Sequence, residues 1–188
     1  MRRAATLVAL LWPAGALACA CCAERGERFA YDMALGDYEI AQIATLKADG
    51  PAHLFLTACG MACVQGVRDP QERYSVQLEA APDALRFLLS DADGVARGSL
   101  SLTLPERFIY FGVDTEPLVQ ASGMTLYTEM RLPGRATGTG DFSGVEGAEL
   151  VLSGPGNMCI GAKNLAHWRL ELRGEGVDYR LFGGLTSR

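Results

Sequence analysis

Trp168-Arg169-Leu170-Glu171-Leu172-Arg173, then Gly174-Glu175-Gly176, then Val177-Asp178-Tyr179-Arg180-Leu181 carries the clearest structural pattern of the chain. Apolar and polar residues alternate strictly on both sides of a Gly-Glu-Gly turn. Period-two alternation is the mark of a strand with one buried face, and a tight turn between two such runs makes a hairpin. The same pattern recurs in Ser75–Ala80 and Ser99–Leu104. Further strands are expected at 53–58, 85–89, 108–113, 126–132, 135–142 and 148–153, which makes ten candidates.

The connections favour antiparallel neighbours. Ala81-Pro82-Asp83, Asp91-Ala92-Asp93-Gly94 and Leu132-Pro133-Gly134 carry turn chemistry at hairpin spacing. Parallel strands would need crossovers of a dozen or more residues, for which the chain has no room. The expected fold class is all-β: a mainly antiparallel meander closing into a full or partial barrel of about 8–10 strands, because closure hides sheet edges. A two-sheet sandwich is the alternative. One segment departs from the alternation: Asp37 to Lys47 spaces Tyr38, Ile40, Ile43 and Leu46 near helical period, and predicts a short helix over 37–47 ahead of Gly50-Pro51.

The N-terminus reads as a secretory signal peptide, residues 1–18. Arg2 and Arg3 form a basic start, Ala4 to Trp12 an apolar run, and Pro13 and Gly15 a break before the small-residue cleavage pattern Ala16-Leu17-Ala18. The apolar run is shorter than the roughly 20 residues of a membrane span, and no transmembrane segment is expected. The chain then divides into a Cys-rich segment, 19–35, and a single β domain, 36–188. The expected destination is export: periplasm or outer envelope, or the extracellular space. Loss of the two arginines would move the formal charge from −5 to −7. An acidic chain of this kind is a poor partner for nucleic acid. Membrane contact is expected only if Cys19, the first residue after the cut, is lipidated as in an envelope lipoprotein, to whose signal 16–19 is a partial match.

Six cysteines follow the signal: Cys19, Cys21, Cys22, Cys59, Cys63 and Cys159. An even number in an exported chain is most economically read as disulfides, with 15 pairings open. The neighbours Cys21 and Cys22 are too close to pair with each other. The reading adopted is that the N-terminal cluster is stapled to Cys59, Cys63 or Cys159. The sharper alternative is a soft-metal or thiol-redox site. Cys59-Gly60-Met61-Ala62-Cys63 offers two thiolates and a thioether suited to Cu(I), with His53 upstream as a fourth candidate ligand. The chain has only two histidines, and paired zinc spacings are missing.

No catalytic motif stands out: there is no G-x-S-x-G elbow and no H-E-x-x-H. Asp91–Gly94 lacks the flanking carboxylates of a calcium loop. The patternless stretch Gly154 to Ala166 is a candidate functional loop carrying Asn157, Lys163 and Asn164. The expectation is a non-enzymatic module binding a small ligand or an envelope protein, with no cofactor that the sequence demands.

Overall fold

The computed structural model describes residues 28–115, 125–156 and 161–187. They form ten strands, one α-helix and three short 3-10 turns. The strands are β1 (Arg28–Ala34), β2 (Leu46–Leu54), β3 (Arg73–Ala80), β4 (Ala84–Ser90), β5 (Ala96–Thr103), β6 (Arg107–Thr115), β7 (Thr125–Gly138), β8 (Gly147–Gly156), β9 (His167–Gly174) and β10 (Val177–Ser187); the helix is α1 (Asp37–Ala44).

All pairings between them are antiparallel, and eight strands close a barrel in the order β2-β3-β4-β5-β7-β8-β9-β10, with β10 returning to β2. Closure rules out the sandwich. The remaining two strands extend the sheet beyond the barrel: β6 pairs with the first half of β7, and β1 pairs with β6.

Three local expectations are corrected. Leu132-Pro133-Gly134 is not a turn, because β7 runs straight through it and the two strands expected at 126–132 and 135–142 are one. On one edge β7 is paired with β8 from Leu126 to Arg135, straight through Pro133. On the other it pairs with β6 up to Arg131 and with β5 from Ala136. Pro133, which has no N–H to give, falls in the gap between the two partners. Gly134 lets the end of β5 come close: a Cβ there would lie 2.5 Å from the Thr103 carbonyl oxygen. Next, the helix stops at Ala44, where the Thr45 N–H and hydroxyl both bond the Gln42 carbonyl, and the strand expected at 53–58 lies instead at 46–54. Finally, β1 falls inside the segment read as merely Cys-rich. The alternation Phe29, Tyr31, Met33 was present in the sequence but too short to weigh.

Side chains fill the barrel. Trp168, Leu170 and Leu172 of β9 meet Val177, Tyr179 and Leu181 of β10, Leu150 and Leu152 of β8, and Leu85, Phe87 and Leu89 of β4. Phe87 packs on Trp168 with ring centroids 5.1 Å apart, and Phe142 packs on Tyr74 at 5.3 Å and Tyr179 at 6.2 Å. Phe142, from the 3-10 turn Gly140–Phe142, closes one end of the barrel. At that end Arg97 binds Asp69, Asp141 (2.7 Å) and, at 3.9 Å, Asp91, tying three connections to β5. Among the described residues no helix is long and apolar enough to cross a membrane.

Gly134→Ala should cost about 1–3 kcal/mol, the usual range for overpacking, read as a lower urea midpoint. An unchanged midpoint would mean that β5 does not approach β7 at this point.

Candidate functional site

With the interior occupied, a broad concavity among the described residues lies outside the barrel. It is a groove of about 610 Å³ across the outer faces of β2, β10, β9, β8 and β7. The strand register explains what stands in it. Read across the sheet, Glu129, Ser153, His167, Gly184 and Asp49 form one row, and Arg131, Val151, Arg169, Phe182 and His53 form the next. Neighbouring strands lie about 4.8 Å apart, so each row is a ladder of adjacent side chains.

Two features hollow the surface here. Between Phe182 and Gly184, one residue of β10 faces three of β2 (50–52), a bulge that leaves Pro51 exposed at the groove. Gly183 and Gly184 present no side chains. A Cβ on Gly183 would meet the buried Trp168 indole at 2.8 Å, and one on Gly184 would lie 2.7 Å from the Asp49 carbonyl oxygen. The glycine pair is therefore required by close approach on both sides, and it leaves a bare floor between Asp49 and His167.

The walls combine rings and charges. Phe55, Phe182 and Tyr127 are each more than a third exposed. The His53 ring stacks on Phe182 at 5.5 Å. Arg180 lies over Phe55 at 5.9 Å, just outside the groove. On β7, Tyr127 Oη donates to Glu129 Oε1 at 2.6 Å, while Arg131 donates to Glu129 Oε2 through Nε at 2.7 Å and reaches it through its terminal nitrogen at 2.6 Å. Arg131 also covers the Phe111 ring at 5.1 Å. Glu129 is thus a buried carboxylate on the outer face of the barrel, with both oxygens occupied. The Tyr127 phenol is pushed above its ordinary value by burial first and then by its bond to the Glu129 carboxylate.

The residues singled out in the sequence separate in space. Cys59 and Cys63 are joined to each other, correcting the expectation that either is stapled to the N-terminal cluster. The 3-10 turn Gly60–Cys63 brings their Cα atoms to 5.8 Å, inside the range a disulfide needs. In this form their sulfurs are not thiolate ligands. Met61 is half-buried and packs against the core, while His53 belongs to the groove. Among the described residues no cluster of three His, Cys, Asp or Glu side chains is disposed to hold a metal. Lys163 is exposed and Asn164 half-buried, in the 3-10 turn Ala162–Asn164. That turn is held against α1 by the Ala162 N–H to Gln42 Oε1 bond of 2.9 Å. Cys19, Cys21, Cys22, Cys159 and Asn157 lie outside the described residues.

The local sequence carries little sign of the groove: His167 opens a strand, and Asp49, Tyr127, Glu129 and Phe182 belong to no motif. The Gly183-Gly184 pair inside a strand was the one local signal available. Compared with known protein families, curated proteins and solved structures, the chain matches none of them.

The Tyr74 and Tyr179 phenols are also raised, both chiefly by burial. The folded chain keeps these protons after the unfolded chain has lost them. Stability from these groups is therefore complete below the ordinary phenol value near 10 and falls as pH rises above it. Urea midpoints should hold steady below that value and drop towards about pH 11. Phenolate absorbance of the native protein should lag behind that of the unfolded chain. Coincident titrations would contradict the burial of these tyrosines.

Proposed function

We propose that this protein is an exported binding module that takes a small, largely apolar ligand in the outer-face groove. The observation that carries this reading is the convergence of three exposed rings, Phe55, Phe182 and Tyr127, with both histidines of the chain over a floor of two glycines. Exposed rings cost solvation unless something covers them. A groove of about 610 Å³ is within the size range of small-molecule sites. Its concavity favours a small ligand over the flatter face of an envelope protein. Binding without turnover is favoured by the Glu129 carboxylate, both oxygens of which are engaged by Tyr127 and Arg131.

Export is supported by the signal pattern of residues 1–18 and agrees with the oxidised pair Cys59–Cys63, since disulfides persist in oxidising compartments. A second reading, thiol–disulfide chemistry at this pair, has one observation in its favour. Both cysteines are exposed, and the Thr57 hydroxyl lies 3.0 Å from Cys59 Sγ, where it could donate to a thiolate. The bridge spans only four positions, so its loop-closure contribution is small, about 2 kcal/mol.

The groove is tested by a fragment screen followed by amide NMR shifts. Bound fragments should move the resonances of His53, Val151, Ser153, His167 and Phe182 together, and Phe182→Ala should weaken them about tenfold. Shifts confined to another face would refute the assignment. Export and thiol state are read together from the intact mass of protein recovered from a periplasmic fraction, before and after reduction. The expected species begins at Cys19 and carries a Cys59–Cys63 bridge; an attached lipid would show as added mass. Retention of residues 1–18 would overturn the export reading. A bridge that stays oxidised in a glutathione buffer poised for exchange would overturn the redox one.

A further inference from the structure

The charges around the groove do not cancel evenly. Three ionised side chains line it: Asp49, Glu129 and Arg169. Glu129 is paired with Arg131, and Arg169 with Glu171 at 3.1 Å, a carboxylate that Arg173 and Arg180 also approach from outside the groove, at 3.5 and 3.7 Å. Asp49 is exposed and, among the described residues, its carboxylate has neither a hydrogen bond nor an ion pair. It stands opposite Gly184 in the strand register, and His167 stands opposite Gly184 on the other side. The lane between the Asp49 carboxylate and the His167 ring therefore holds no side chain. It is two strand spacings wide, about 10 Å.

Around that lane the lining is mostly apolar: Pro51, Phe182, Val151 and, at the far end, Tyr127. Aromatic faces carry negative quadrupole charge and attract cations. The same outer face already shows this chemistry twice, with Arg180 over Phe55 and Arg131 over Phe111. An unpaired carboxylate beside exposed rings attracts positive charge and repels anions. The acidic balance of the chain, −5, adds long-range attraction of the same sign.

Building on the groove reading above, we propose that its ligand is an organic cation: an ammonium group seated against Asp49 above Gly184, joined to an apolar body that lies along Phe182 towards Tyr127. The carboxylate and the flanking rings select the charge, and the apolar walls select the body. A neutral molecule of the same shape keeps the wall contacts and loses the ion pair. An anion meets the Asp49 charge directly. Because the site is open to solvent, the ion-pair contribution is modest and weakens with salt.

The test compares three probes of one shape, 2-phenylethylamine, 2-phenylethanol and 3-phenylpropanoate, by groove NMR shifts on the native protein and on Asp49→Asn. Asp49 is exposed and has no partner to lose, so the substitution leaves the fold intact, which the urea midpoint checks. The amine should bind about threefold tighter than the alcohol, and the carboxylate weakest. Asp49→Asn should remove the preference for the amine and leave the alcohol unchanged. Equal binding of amine and alcohol, tighter binding of the carboxylate, or a preference that survives Asp49→Asn would overturn the cation proposal while leaving the groove reading in place. If no probe moves the groove resonances, both fall.

Discussion

The pairing of β10 with β2 is the contact on which the rest of the molecule depends. It joins the last strand of the chain to the first strand of the barrel, registering Leu181 with Leu54 and Ser187 with Leu46. Without it the eight strands would be an open sheet with two long edges, each a row of unpaired backbone groups. With it, the alternating apolar residues of every strand face one enclosed core. Loop closure over so many residues is entropically costly, and the return is burial of Trp168, Tyr74, Phe87 and their neighbours.

Closure also dictates where a ligand could be held. The enclosed space is filled by large side chains: Phe87 lies against Trp168, Phe142 closes one end, and α1 with Ile43 packs at the other. A filled interior moves any recognition surface to the outer wall, which on a barrel is convex. The seam itself supplies the exception. Three residues of β2 must be accommodated against one of β10, and the resulting bulge, next to two glycines, turns part of the convex wall into a groove. The site is thus a product of the way the barrel is shut.

The polar residues of the outer face follow from the same geometry. Tyr127, Glu129 and Arg131 are alternate residues of one strand, so they necessarily share a face and can satisfy one another. Their network lies where β7 parts from β5 and takes β6 as its neighbour, and it secures the wall of the groove at that junction. At the far end of the barrel, Arg97 holds three carboxylates from three connections. In both places a charge left half-buried by the fold is matched by a partner brought to it by strand pairing, as burial of charge requires.

Alternation and turn chemistry are local properties of consecutive residues, and they sufficed to predict the all-β class, the antiparallel pairing and most strand positions. The alternation of Trp168 to Leu181 is enough to predict both faces of that hairpin. Local pattern misjudged Pro133-Gly134, whose local chemistry is that of a turn but whose role is to sit where two neighbouring strands exchange. It paired neither Cys59 with Cys63 nor the two histidines with one groove. Those depend on contacts between distant segments, for one physical reason. Period two states which face a side chain occupies, but register and closure state which side chains stand beside it. Asp49, His167 and Glu129 are far apart along the chain and become a single row only when β10 closes on β2.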